Sequence, residues 1–507
     1  MNMKQYEIFE LQYKGEEPQG SHVAVDLSAT FTIDGEMKTV RGFYAGNGSY
    51  VIRFLPEKTG SYVYHVSGCI TDDGEVVCTA ADPGRHGLVR AVGTHFQYTD
   101  GTWFYPFGTT VYALVHQDKA LIDQTMDTLS ASPFNKVRMC VFPKSYDYNH
   151  NDPEFYAFEK NGGDWNPDHP CFAFWDHLEA RIRQLDQMGI QCDLILFHPY
   201  DRWGFAKLSR TQSLTYLDYL TRRLGAFPNV WWSLANEYEL LKWPMEDWKE
   251  FAHFLHNNDG CHHLLSNHNI FIDWDFANED TTHICVQSSE LDKISQKINK
   301  FKKPMMVDEC RYEGNIPLDW GNISGFEMVN RFWKVCLQGG YCTHGETFLN
   351  EEGILWWSRG GKLVGESPAR IAFLREILES LPGPLTYGGI DWTEEMIREL
   401  RENPPERMKD SVFYEMLKSM PDGAVIGVID GNRQFIGRYG DEAFLKYYVR
   451  DCTSMGTLEL PSDGSYSIEV IDVLEMTRTP AAAGVSGTVE VKLPGKEGMA
   501  ILAIKEK

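Results

Sequence analysis

Two glutamates sit where a chain of this kind could do chemistry. Glu237 closes the apolar run of WWSLANEYEL, directly after Asn236, and Glu309 closes PMMVDE. A carboxyl at the end of an apolar strand can be desolvated, which raises its pKa and suits it to donate a proton. Trp231, Trp232 and Tyr238 are the neighbours expected to do this for Glu237. A carboxylate beside a guanidinium stays ionised and can attack as a nucleophile, and Arg138 or Arg311 is expected to serve Glu309 in this way. Asp308 precedes Glu309, and successive strand residues face opposite ways, so only one of the two is expected to point inward. Other apolar runs also end in polar groups: Tyr112, Arg138, His198, His268, Gln287 and Glu346. Glu346 is read as a ligand-binding group and as the alternative to Glu309 in the nucleophile's role. Trp356 and Trp357 offer a stacking platform for a ring-shaped ligand.

The elements that position these groups are legible in the hydrophobic pattern. Apolar runs at 103–113, 134–142, 190–198, 229–236, 264–268, 284–288, 304–309 and 340–346 alternate with amphipathic segments. Trp175, Leu178, Ile182, Leu185 and Met188 share one helical face, as do Trp248, Phe251 and Leu255. Eight strand–helix repeats over about 300 residues predict a (β/α)8 barrel, whose functional groups gather at the C-terminal strand ends. A doubly wound open sheet is the runner-up, but no glycine-rich phosphate loop follows any strand. Before the barrel, VAVDLSATFTI and SYVYHVSG alternate with period two, and Asp34-Gly35, Gly46-Asn47-Gly48 and Asp73-Gly74 mark turns. After it come AVIGVID, QFIGRYG, FLKYYVRD, YSIEVIDVL, TVEVKL and AILAIK. The expected organisation is multidomain: a β-sandwich over 1–92, a catalytic barrel over 93–395, a charged connection over 393–410 and a second β-sandwich over 410–507.

Composition narrows the partners. The chain of 507 residues carries 48 basic and 72 acidic side chains, a formal charge of -24, which repels nucleic-acid phosphates and anionic lipid. Aromatic residues make up 13%, enough to supply planar faces for sugar rings. No apolar stretch approaches 18 residues, and the N-terminus MNMKQYEIFELQYKGEE lacks the pattern of a signal peptide, so a cytoplasmic location is expected. The 11 cysteines include no Cys-x-x-Cys, His262-His263 lacks ligand spacing, and there is no His-Glu-x-x-His, so neither a metal nor another cofactor is expected. A Gly-x-Ser-x-Gly elbow is missing as well, which weighs against serine-based acyl transfer.

Carboxylates on the fourth and seventh strands of a barrel face each other across its mouth, as the acid/base and nucleophile of retaining glycosidases do. The pattern resembles the clan of glycosidases with Asn-Glu after strand four and Glu at strand seven. Asn236-Glu237, Glu309, Val137-Arg138 on strand two and His198 on strand three carry that likeness. More of the chain resembles the apiosidase-like glycoside hydrolases: an N-terminal sandwich, a barrel opening with FYPFGTTVYAL, the stretch NPDHPCFAFWDHLEARIRQLDQMGI, and a C-terminal sandwich. Relatives commonly have Gly-Asp-Thr on the first strand where this chain has Gly108-Thr109-Thr110. The resemblance implies a retaining glycoside hydrolase acting on oligosaccharides or small glycosides, with Glu237 as acid/base, Glu309 as nucleophile and Asn236 on a sugar hydroxyl. The alternatives are a non-catalytic carbohydrate-binding protein with an inactive barrel, and a transglycosidase using the same residues. The long aromatic loop 143–174 and the cluster His198-Pro-Tyr-Asp-Arg-Trp203 are expected to wall the substrate.

Overall fold

Each of the eight apolar runs forms a strand in a computed structural model of the chain, which describes residues 2–431 and 433–506. They are β1 (Phe107–Thr110), β2 (Lys136–Cys140), β3 (Gln191–Phe197), β4 (Val230–Ala235), β5 (Leu265–Ser266), β6 (Ile284–Gln287), β7 (Met305–Glu309) and β8 (Tyr341–His344). The sheet runs β5-β4-β3-β2-β1-β8-β7-β6, with parallel pairing. Between its two end strands Thr282, just before β6, donates its N–H to the Leu265 carbonyl at 2.8 Å, so the barrel is nearly closed. β2, β3 and β4 are buried along their whole length, as strands covered on both faces must be.

Helices α1 (Lys119–Ser130), α2 (Phe172–Gln187), α3 (Arg210–Leu224), α4 (Met245–Asn258), α5 (Ile294–Phe301), α6 (Gly325–Leu337) and α7 (Ser367–Glu379) follow the strands in turn, with none between β5 and β6. On α2 the predicted face of Trp175, Leu178, Ile182 and Leu185 is buried, and Met188 caps the helix half-buried. Starts are set by side chains: Asp118 accepts from the Leu121 N–H on α1, and Ser209 and Gln212 form a capping box on α3.

The barrel interior is charged rather than aliphatic. Lys136 lies 2.7 Å from both Asp193 and Asp308, and Arg138 lies 3.7 and 3.6 Å from the same two carboxylates. Burial pushes Asp308 up, but Lys136 and Arg138 outweigh it and hold this carboxyl well below the usual range.

The N-terminal sheets form a sandwich. One has five strands in the order Asn2–Lys4, Asp72–Thr79, Gly60–Gly68, Leu27–Ile33, Glu36–Arg41; the other pairs Phe9–Lys14, Ser49–Phe54 and Phe43–Tyr44. Phe31 and Phe54 stack at 4.0 Å between them. This sandwich is tied to the barrel's outer helices by buried charges. Arg53 grips Glu179 of α2 with two hydrogen bonds of 2.6 and 2.8 Å, and Arg223 of α3 donates to the same carboxylate at 2.5 Å. Arg222 donates to the carbonyls of Val25 and Gly42, and Tyr219 to that of Tyr44.

A second compact unit comprises residues 289–302, 329–341 and 373–507. Its six-stranded sheet runs Thr386–Tyr387, Phe435–Tyr439, Ala443–Tyr447, Met499–Lys505, Tyr466–Asp472, Thr477–Val485, and a separate pair joins Met455–Glu459 to Thr488–Lys492. Two readings change here. The connection at 393–410 contains helix α8 (Glu394–Glu402), capped by Thr393. AVIGVID is not a strand but lies in α10 (Asp422–Gly431), which follows α9 (Val412–Ser419). A short apolar run cannot be told from a buried helix by periodicity alone; here Val425 packs with Ile397 and Leu417 instead of pairing in a sheet.

The charged tie between sandwich and barrel makes a direct prediction. Arg53→Met should lower the unfolding free energy by about 3–5 kcal/mol, because Glu179 stays buried with half its partners lost. Combining it with Glu179→Met should recover part of the loss. Urea denaturation of the three variants checks this; additive losses would show that the pair is not coupled.

Candidate active site

Asn236 and Glu237 follow β4 without a break, and Glu237 takes a left-handed conformation (φ 53°, ψ 57°). That is costly for a residue with a Cβ unless its surroundings impose it. Here they do: Asn236 N–H donates to the Phe197 carbonyl at 3.0 Å, Glu237 N–H to His268 Nδ1 at 3.3 Å, and Tyr238 N–H to the His268 carbonyl at 3.1 Å. The turn carries the Glu237 carboxyl into the mouth of the barrel.

Glu309 reaches the same pocket through a different irregularity. Between β6 and β7 the register slips, so that Val286 faces Val307 but Gln287 faces Glu309. Asp308 is the extra residue of this bulge. It turns into the barrel interior, bonded to Lys136, Cys285 and Thr343, while Glu309 enters the pocket above. The expectation that only one of the two could point inward fails because strict alternation assumes an unbroken ladder.

Gln287 joins the two carboxylates. With its amide oriented to satisfy the network, its nitrogen lies 3.0 Å from Glu237 Oε1 and 3.2 Å from Glu309 Oε2. Those two oxygens are therefore at most about 6 Å apart, closer than the roughly 6.5–9.5 Å between the carboxyl groups of inverting glycosidases. Each carboxylate is also held by a phenol: Tyr200 donates to Glu237 Oε2 and Tyr112 to Glu309 Oε1. Burial, reinforced by the neighbouring Glu309, pushes the Glu237 carboxyl up to about 7.

The aromatic residues expected to desolvate Glu237 lie elsewhere. Trp231 packs on Phe96, Phe104 and His283, Trp232 on His263, and Tyr238 on Trp248 and Trp274. The two tryptophans precede the strand end by several residues, so they occupy lower layers of the fold. Arg138 likewise does not pair with Glu309. Its guanidinium is spent on Asp193 and Asp308, and Nη2 donates to Asn236 Oδ1 at 3.0 Å. Arg311 turns away to the Asp319 carbonyl and Asn322.

Asn236 Oδ1 thus accepts from Arg138 and lies 3.0 Å from the Tyr112 hydroxyl, which leaves its Nδ2 without a hydrogen bond among the described residues. His268 Nε2 stands 4.0 Å from Glu309 Oε1; burial, with Arg138 nearby, holds this imidazole far below its usual range, and hence neutral. His198 does not join the pair. Its Nε2 donates to the Phe142 carbonyl at 3.1 Å, and burial pushes its pKa down to about 3.

The tryptophan pair divides. Trp357 lines the pocket against Tyr112, Tyr146, Tyr312 and Trp320, whereas Trp356 points down and donates to Thr109 Oγ1 at 2.8 Å. Only Trp357 could face a ligand. Gly345, at the end of β8, admits the Tyr312 ring, which a Cβ there would strike. Trp165 of the long loop stacks on Phe205, in a hairpin of Phe158–Asn161 and Asp164–Pro170.

Glu346 is not in the pocket with Glu237 and Glu309. It pairs across a two-residue ladder with Glu313, accepts from the Val364 N–H at 2.9 Å, and lies 3.6 Å from His344 Nε2. Glu313, His344 and Glu346 are the group among the described residues whose donor atoms, within 4.8 Å of one another, could hold a metal ion. Both oxygens of Glu313 already accept bonds, from the N–H groups of Glu366 and Ser367 and from the Ser367 hydroxyl.

Tyr200 and Lys144 belong to segments expected only to wall the substrate, yet both reach the carboxylate pair or its phenols. The sequence signal for Lys144 is its place just after the apolar run of β2, at the functional end of the barrel.

The apiosidase-like catalytic domain matches residues 91–396, more than half of the chain. The chain belongs to the apiosidase-like family. Two domains of unknown function, DUF5060 and DUF5605, match residues 2–68 and 433–503 on either side of it. A candidate glycoside hydrolase from Bacteroides vulgatus ATCC 8482 is 32% identical over all of both chains, with a TM-score of 0.85. A family 5 glycoside hydrolase from the same organism shares the fold, with a TM-score of 0.60 at 12% identity over 84% of this chain and 95% of its own. Among curated proteins no match is found. The apiosidase-like barrel is therefore of the glycoside-hydrolase type. No helix among the described residues is long and apolar enough to cross a membrane.

A buried acid with a raised pKa makes the native state less stable as pH rises. Below about pH 4.5 Glu237 is protonated whether the chain is folded or not; between there and about pH 7 the unfolded chain loses the proton first, so stability falls across that window. Glu237→Gln removes this cost. Its stability relative to the parent should rise by about 3 kcal/mol from pH 4 to pH 8, read from urea melts at each pH. A pH-independent difference would show that Glu237 titrates normally.

Proposed function

We propose that the chain is a retaining glycoside hydrolase acting on oligosaccharides or small glycosides, with Glu237 as acid/base and Glu309 as nucleophile. The observation that carries this reading is the single Gln287 amide within hydrogen-bond reach of both carboxylates, a closeness that favours a retaining pair over an inverting one. Glu237, with its pKa pushed up to about 7, is still protonated in a large fraction of molecules at neutral pH and delivers that proton to the glycosidic oxygen. As that bond breaks, a Glu309 oxygen bonds to the anomeric carbon and forms a glycosyl ester. The aglycone leaves, and Glu237, now a carboxylate, takes a proton from water that attacks the same carbon. The ester breaks, and both residues return to their starting states.

Other residues prepare this exchange. Tyr112 aims Glu309, and Arg138 orients Asn236 so that its Nδ2 faces a sugar hydroxyl. His268, being neutral, adds no charge next to the nucleophile. Trp357 and Tyr146 supply aromatic surface for the ring. The intact pair favours this reading over a barrel that only binds sugar.

Activity should fall on the alkaline side with a midpoint near pH 7, as Glu237 loses its proton. Glu237→Gln should retain turnover of aryl glycosides with very good leaving groups, and azide should raise that rate and give a glycosyl azide of retained configuration. Glu309→Gln should be inactive on every leaving group. NMR of the first-formed wild-type product decides the stereochemistry, and an inverted anomer overturns the mechanism.

A further inference from the structure

Lys144 is the cation of the pocket that the catalytic scheme leaves without a role. Its side chain is buried, and the contacts of its ammonium are with rings rather than with a carboxylate in an ion pair. It rests on aromatic faces instead: 3.5 Å from the ring centre of Tyr112 and 4.3 Å from that of Tyr200, with Trp357 and Tyr146 at 5.6 and 5.8 Å. Tyr112 and Tyr200 are the two phenols whose hydroxyls hold Glu309 and Glu237. A cation on the face of a phenol draws electron density from the ring and makes the O–H a stronger donor.

The charges around it leave one assignment. Below the pocket, Lys136 and Arg138 are matched by Asp193 and Asp308. Cys140, beneath Lys144 on β2, is a buried thiol pushed up to about 12, and His198 and His268 are held neutral by burial. Tyr146, Tyr112 and Tyr200 are likewise pushed up and uncharged. The negative charge left to balance the ammonium is that of the carboxylate pair.

We propose that Lys144 is a positioning residue, the counter-charge of the Glu237–Glu309 pair, and that it lets one carboxylate stay ionised beside the other's proton. This deepens the catalytic reading and rests on it for its meaning, but its test does not require turnover. The carbon resonances of the glutamate carboxyls are titrated in the full-length protein, with Glu237→Gln used for assignment. In Lys144→Met the Glu237 midpoint should rise by at least about one pH unit, and Lys144→Arg should bring it back toward the parent value. A Glu237 midpoint unchanged in folded Lys144→Met overturns the proposal.

Coupling between sites is reciprocal, which provides a measurement that leaves position 144 intact. In Glu309→Gln the Lys144 ammonium should lose its proton at lower pH than in the parent, read from its side-chain nitrogen resonance; no change there also overturns the proposal. If the chain cleaves no glycoside while these midpoints move, the catalytic reading falls and the electrostatic pairing stands. If it cleaves glycosides and the midpoints stay put, the Lys144 assignment alone falls.

Discussion

Two carboxyl groups buried within reach of one amide cannot both be ionised at little cost, and the upper half of the barrel is arranged around that constraint. In a medium of low dielectric the second charge is disfavoured. The surroundings place that cost on Glu237. Glu237 sits on a turn fixed by three backbone hydrogen bonds, two of them to His268, and is pushed up to about 7 by burial and by its neighbour. Glu309 stands on the far side of Gln287, held by Tyr112 and approached by a neutral imidazole. The asymmetry between two chemically identical side chains is thus a property of their surroundings.

That arrangement needs a rigid base, and the charged interior of the barrel supplies it. Lys136, Arg138, Asp193 and Asp308 form a closed set of opposite charges, all buried. Such a network adds little net stability compared with aliphatic packing, but breaking it is costly, so it resists rearrangement. Arg138 is the link upward, because the same guanidinium that closes the network orients Asn236. A similar device works on the outer wall, where Arg53 and Arg223 share Glu179 and join the N-terminal sandwich to α2 and α3. The Glu313 and Glu346 side chains show a third way to hold acids inside a protein: backbone N–H groups of Val364, Glu366 and Ser367 donate to their oxygens.

Much of this was legible in the linear chain, for identifiable reasons. Eight apolar runs spaced by amphipathic helices determine the barrel, since burial on both faces demands continuous apolar strands and the helical period demands one apolar stripe. Strand ends are equally readable: Glu237, Glu309, Asn236, His268, Gln287 and Tyr112 meet at one mouth, although the same reading also expects Arg138, His198 and Glu346 there. Side-chain direction was not. A bulge at Asp308 puts two successive acids on the inner side, and no feature of PMMVDE signals that slip, because it is set by the pairing of β7 with β6. The partners of Arg138, the downward turn of Trp356, the displacement of Glu346 and the ring-bound ammonium of Lys144 likewise depend on residues of other strands and loops. The sequence by itself determined the elements and which groups lie at their functional end, because hydrophobic periodicity is a local property. Only the tertiary structure decided which charges face one another and therefore that Glu237 is pushed up, because Coulomb interactions and desolvation depend on distance through space rather than along the chain.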